Sequence, residues 1–148
     1  MNKLIFMIGL PGSGKSTYAE RNLGDCEILS SDKLRVELFN DVNNQDNNQL
    51  VFDTLFQRAR DFLIQGKNVV IDATNVDREE REKSLSHFKD LNVIRIAMVV
   101  KTPVKECILR DSLRDRTVGK DVILKFRRKF TYPTKKEGFD KVVFVKSK

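Results

Sequence analysis

The sequence has no tryptophan, one histidine, two cysteines and three prolines among 148 residues, and no long apolar run. Each scarcity removes a class of explanation. His87 stands alone on a charged stretch, so a zinc site or an acid–base relay built on histidine lacks its parts. It is expected on a helix surface. Cys26 and Cys107 lie far apart in no metal-like spacing, and a secreted fold of this size carries more cysteine. They read as reduced, buried thiols of a cytoplasmic protein. The apolar runs fall far short of the ~20 residues that a membrane-crossing helix needs, so no membrane is expected among the partners. "MNKLIFMIGL" begins as a secretory leader would but leads into glycines without a small-residue cleavage site, and is expected to be a first strand. Glycine is scarce too, with 7 residues in all. Three of them, Gly9, Gly12 and Gly14, nevertheless share one short loop.

What is present is a globular composition, 40% hydrophobic and 33% charged, at a length that suits a single domain over 1–148. The net charge of +7 is unevenly spread. Residues 89–148 hold 17 Lys and Arg against 7 Asp and Glu, leaving 11 against 14 for residues 1–88. The basic half is expected to meet an anionic partner or to form a solvated face.

Strand and helix patterns alternate along the chain. Lys3 to Ile8, Glu27 to Leu29, Asn68 to Asp72, Val93 to Val100 and Val142 to Val145 read as strands. Helices are expected over Ser16 to Asn22, Lys33 to Phe39, Leu50 to Gln65, Asp77 to Lys89, Pro103 to about Arg114, and Asp121 to Phe130. Asn40 to Gln49 is polar and reads as a loop that can face a substrate. Such alternation predicts an α/β fold with a parallel sheet and helices on both faces.

Gly9 to Ser16 fits G-x-x-x-x-G-K-[ST] between a predicted strand and a predicted helix, the context a phosphate-binding loop requires. Glycine lets the backbone close around a phosphate so that successive N–H groups and the positive end of the next helix face the anion. Gly12, Ser13, Gly14, Lys15, Ser16 and Thr17 are therefore candidate ATP-binding residues. Lys15 would reach the β- and γ-phosphates, and the Ser16 hydroxyl would meet Mg²⁺. No N-K-x-D run follows a later strand, so ATP is expected rather than GTP.

Asp32 and Arg35 lie one helical turn apart at the end of the second strand, where ligands gather in such sheets. The aspartate could accept the proton of an attacking hydroxyl and the arginine could hold an acceptor phosphate. Their competing reading is a helix cap and a pairing with Glu27 or Glu37. Asp72, at the tip of the third strand, suits Mg²⁺ through water. Thr74 and Asn75 could bind the acceptor or order the loop. Arg110, Arg114 and Arg116 could form a lid that lends guanidinium charge to the transferring phosphoryl group, or they could pair with Glu106, Asp111 and Asp115. Lys125, Arg127, Arg128, Lys129, Lys135 and Lys136 surround Phe126, Phe130 and Tyr132, a pattern open to nucleic acid. Phe126 and Phe130, four apart, are expected to face the core.

Together these segments resemble the P-loop kinase domain of the bacteriophage type of polynucleotide 5′-hydroxyl kinase. The resemblance rests on GLPGSGKST, D-x-x-R at Asp32 and Arg35, IDATN with Asp72 to Asn75, and R-x-x-x-R-x-R at Arg110, Arg114 and Arg116, in that order. "YPTKKEGFD" is also similar to a family segment. The resemblance implies a P-loop kinase fold with a central parallel five-stranded sheet and an arginine-bearing helical lid. It implies transfer of the γ-phosphate of ATP, with Mg²⁺, to the 5′-OH end of DNA or RNA in end repair. Lys15 and Ser16 would then handle phosphates and metal, and Asp32 would be the general base. Arg35 would bind the 3′-side phosphate, and the lid arginines, Arg114 as a catalytic group among them, would contact ATP. Phage enzymes of this kind often continue into a phosphatase domain, which is not expected here. Relatives with similar segments phosphorylate nucleosides, sugars or antibiotics, so a small-molecule kinase is the alternative, and a non-catalytic nucleotide-binding module the third class.

Overall fold

A computed structural model describes residues 1–42, 47–115 and 117–146. Its strands are β1 (Lys3–Ile8), β2 (Glu27–Ser30), β3 (Val69–Asp72), β4 (Ile94–Lys101) and β5 (Lys141–Lys146). Its α-helices are α1 (Lys15–Asn22), α2 (Ser31–Phe39), α3 (Asn48–Ile64), α4 (Arg78–Leu85), α5 (Val104–Ser112) and α6 (Lys120–Lys129). The five strands form one parallel sheet in the order β2-β3-β1-β4-β5.

The pleat of β1 explains the layering. Leu4, Phe6 and Ile8 point to one face, against Val51, Leu55, Ala59 and Leu63 of α3. Ile5 and Met7 point to the other, against Ala19 of α1. A central strand covered on both faces must be apolar at every position, and β1 is buried from Leu4 to Ile8. The α3 residues recur every four positions, so one stripe of that helix meets the sheet. A fully buried side chain such as Leu55 contributes roughly 1.5–3 kcal/mol through burial. A third cluster, Leu10, Val76, Cys107 and Ile123, roots α5 and α6 beside the loop after β1.

Local chemistry sets the element ends. Ser30 caps α2 by accepting from the Lys33 amide at 3.3 Å, and Asp77 caps α4 by accepting from the Glu79 amide at 2.9 Å. Two helices stop earlier than expected. After Leu85 the chain tightens into a 3₁₀ turn, Ser86–Phe88, where the Ser86 hydroxyl donates to the Lys83 carbonyl at 2.5 Å. His87 thus lies exposed on a short 3₁₀ helix rather than on α4, stacked at 4.3 Å on Phe56. Helix α5 ends at Ser112 because the buried Asp111 carboxylate gathers the backbone amides of Val118 and Gly119 at 3.0 and 2.9 Å, drawing the chain into a bend. Of the two thiols only Cys107 is fully buried, and Cys26 is half-buried. Among the described residues no helix is long and apolar enough to cross a membrane.

Candidate active site

The carboxyl ends of the central strands open into a cleft of about 520 Å³. The loop between β1 and α1 forms its floor. Gly12 has φ +80°, and a Cβ there would collide with the Cys107 carbonyl of α5. Gly14, at φ 91°, caps α1 without a side chain. The first amides of a helix have no intrahelical acceptors, so this end offers N–H groups and a positive dipole to an anion. The loop is tied on two sides: the Gly9 amide donates to the Thr74 carbonyl at 3.1 Å, and the Ser13 carbonyl accepts from Thr102 Oγ1 at 2.7 Å and Arg110 Nη1 at 3.2 Å.

Lys15 and Ser16 line the cleft from this floor. The Ser16 hydroxyl donates to Asp72 Oδ2 at 2.6 Å. Asp72 is only 5% exposed, and its Oδ1 has no hydrogen-bond partner among the described residues. A buried carboxylate oxygen without a donor is costly, and beside a hydroxyl it suits a hard cation. Among the described residues no group of three or more His, Cys, Asp and Glu could hold a metal by itself. One hydroxyl and one carboxylate fit Mg²⁺, which keeps several waters and takes its remaining oxygens from nucleotide phosphates.

The second wall comes from β2 and α2. Arg35, 6% exposed, donates through Nη1 to Asp32 Oδ1 at 3.0 Å and through Nη2 to Asn48 Oδ1 at 2.5 Å. Its guanidinium lies 5.8 Å from the Phe52 ring centroid, which adds a cation–π contact. The Arg35 Nε has no partner among the described residues. Asp32 is half exposed and faces the same cleft.

The lid supplies the third wall. Arg114 lines the cleft and donates to Asp111 Oδ1 at 2.6 Å. Burial pushes the Asp111 carboxyl up, but the Val118 and Gly119 amides and Arg114 outweigh it and hold it below its ordinary value. Val122, Lys125, Phe126 and Lys129 of α6 complete this wall.

Lys15, Ser16, Asp32, Arg35, Asp72, Thr74 and Arg114 therefore meet in one cleft. Other expected residues do not. Asn75 is buried with its Nδ2 on the Met7 carbonyl at 2.8 Å, and its own carbonyl accepts from Arg81 at 2.9 Å. Of the two roles expected for Asn75, its amide nitrogen takes the ordering of the loop. Arg110 braces the phosphate loop through Ser13 and pairs with Glu106 at 2.5 Å, outside the cleft lining. Thr17 lines a separate hollow beside α1, with Tyr18 and Lys146. Arg116 lies outside the described residues.

Sequence reasoning missed Asn48 and Phe52, although Asn48 falls in the polar stretch read as substrate-facing. It also missed the ion pair of Arg81 with Glu137 at 2.7 Å, both side chains 0% exposed. Arg81 joins Asn75, Glu137 and Thr131 behind the cleft.

Sheet order, phosphate loop and lid define the P-loop kinase fold, which implies binding of ATP. A protein family described as an AAA domain matches residues 4–133, and the chain belongs to that family. Among curated proteins it is similar to the Arabidopsis thaliana protein named transcription factor bHLH140, 29% identical over 97% of this chain and 16% of that one. Among solved structures it is similar to a chain of a Pnkp1/Rnl/Hen1 complex, with TM-score 0.66 and 25% identity over 74% of this chain and 38% of that chain. A gluconokinase from Sinorhizobium meliloti 1021 shares the fold at TM-score 0.64 and 16% identity, over 97% of this chain and 82% of its own. The chain thus spans well under half the length of the first two relatives.

Proposed function

We propose that this protein transfers the γ-phosphate of ATP to the 5′-hydroxyl end of a polynucleotide, as the bacteriophage-type enzymes it resembles do. The observation that carries the reading is Arg35. A guanidinium that lines the cleft and is locked in place by Asp32, Asn48 and Phe52 is a preorganised clamp for one anionic group of an acceptor. It stands beside the half-exposed carboxylate of Asp32 and across from Lys15.

In this mechanism the acceptor's 3′-side phosphate sits on Arg35, which brings its 5′-hydroxyl to Asp32. Asp32 accepts the hydroxyl proton as the 5′-oxygen forms a bond to the γ-phosphorus. The bond from that phosphorus to the β,γ-bridging oxygen breaks, and ADP leaves. Lys15 and Arg114 balance the charge on the phosphoryl group, and the loop amides hold the phosphates in line. Ser16 and Asp72 would hold Mg²⁺, which when bound supplies charge neutralisation at the β- and γ-oxygens. Thr74, at the mouth of β3, would contact the acceptor. The free thiols of Cys26 and Cys107 fit a reducing compartment such as the cytoplasm.

The test compares acceptors with and without a 3′-side phosphate. Arg35→Ala should raise the KM of a nucleoside 3′-monophosphate by about 10-fold or more while changing that of a plain nucleoside little. Equal losses for both would remove Arg35 from the acceptor site. Turnover confined to sugars or gluconate would favour the small-molecule reading, which the gluconokinase-like fold leaves open.

A further inference from the structure

Thr74 lines the cleft, and the chain turns away from it at the next residue. Asn75 makes that turn at φ 51°, a left-handed conformation that costs free energy in any residue with a Cβ and persists only where the surroundings over-determine it. Here they do. Asn75 Nδ2 donates to the Met7 carbonyl at 2.8 Å and to the Ala73 carbonyl at 3.4 Å, and the Asn75 carbonyl accepts from Arg81 Nη1 at 2.9 Å. The adjacent Thr74 carbonyl accepts the Gly9 amide at 3.1 Å, so the same turn ties down the start of the phosphate loop.

Arg81 is 0% exposed and stands outside the cleft lining. Its fork of donors is divided between partners: Nε meets Glu137 Oε1 at 2.7 Å, Nη2 meets Thr131 Oγ1 at 3.2 Å, and Nη1 meets Asn75. Each partner is itself held. The second Glu137 oxygen accepts from the Thr134 amide and hydroxyl, and the Thr131 amide donates to the Val76 carbonyl at 2.8 Å. Residues 131–137, which include the start of "YPTKKEGFD", thus form a socket for one guanidinium. Apolar side chains of similar volume can join two segments as well as a buried ion pair does. What they cannot supply is a rigid planar donor aimed at one carbonyl.

We infer that Arg81 is a positioning residue for phosphoryl transfer: seated in the 131–137 socket, it locks Asn75 in its left-handed turn, and so sets Thr74 towards the acceptor and anchors the Gly9 end of the phosphate loop. The inference rests on the proposed contact of Thr74 with the acceptor and deepens that reading.

The experiment compares wild type with Arg81→Lys, Thr74→Ala and the double variant. Arg81→Lys keeps a cation beside Glu137 but lacks the fork that spans Glu137, Thr131 and Asn75. Thr131→Val, which removes one partner of the fork and keeps the volume, serves if a buried lysine prevents folding, and should show the same pattern more weakly. Amide hydrogen exchange at Gly9, which Arg81 does not touch, should speed up by about 10-fold relative to amides of the sheet core. With a nucleoside 3′-monophosphate as acceptor, Arg81→Lys should raise the acceptor KM by about 10-fold in the wild-type background and by less than about 2-fold in the Thr74→Ala background. A buried pair that only adds stability would instead speed exchange throughout the sheet and penalise both backgrounds equally. Unchanged Gly9 exchange relative to the core, or additive KM penalties, would overturn the positioning role while leaving 5′-transfer standing. A wild type that transfers nothing to that acceptor would overturn the reading beneath the inference, and the setting of Thr74 with it, while Gly9 exchange still decides the hold on the phosphate loop.

Discussion

At the scale of single residues, neighbours in the cleft carry separable duties. Lys15→Ala and Asp32→Ala should each reduce turnover by at least about 100-fold, measured as labelled phosphate transferred from ATP. The melting temperature of Lys15→Ala should stay near that of wild type, since that side chain is only half-buried, whereas Asp32→Ala removes a partner of the buried Arg35 and should melt lower while still folding. Near wild-type turnover in either variant would remove that residue from its role. Gly12→Ala should fail differently. Its backbone at φ +80° strains any side chain, and a Cβ there meets the Cys107 carbonyl, so nucleotide affinity should fall together with stability. Asp32, Arg35 and the loop residues were legible in the sequence because their chemistry is local, within one turn or one loop. Asn48 was not, because it reaches Arg35 across 13 positions from a different helix, and no pattern in a single sequence records such a contact. Asn75 was legible as a loop residue but not as one already committed to the Met7 carbonyl.

At the scale of elements, the lid depends on Asp111. Its carboxylate holds Arg114 and the amides that begin α6, and its pKa lies below the ordinary value because those three donors outweigh the cost of burial. A lowered folded-state pKa means that the folded protein favours the ionised form. The stabilisation is therefore complete above the unfolded carboxylate value of about 4, and is lost as pH falls through the folded one. Asp111→Asn should melt lower than wild type at neutral pH, and the gap should narrow in acid. A gap that stays constant from neutral pH down to acid would contradict this role. The five strands and six α-helices of the described residues were legible from hydrophobic alternation and 3.6-residue spacing. The end of α5 was not, since it is set by a side chain that reaches seven and eight residues ahead.

At the scale of the whole molecule, two distant segments are joined by the buried pair of Arg81 and Glu137, which also fixes the Asn75 loop behind the cleft. Removing one member leaves the other buried and uncompensated, so Arg81→Ala should cost about 3–5 kcal/mol in denaturant unfolding. A loss below about 1 kcal/mol would mean that water reaches Glu137. The sequence held no sign of this pair, because Arg81 sits in a run of charges that reads as a solvated face. The basic half was legible as a charge excess, and the structure brings part of it, on α6, to the cleft wall. The most direct test of 5′-hydroxyl transfer is a single reaction holding labelled ATP, Mg²⁺, gluconate, a nucleoside and equimolar 5′-OH and 5′-phosphorylated oligonucleotides. Label should appear on the 5′-OH oligonucleotide alone or far ahead of the rest, and should disappear with Asp32→Ala. Label on gluconate or the nucleoside with none on the oligonucleotide would contradict the polynucleotide kinase reading.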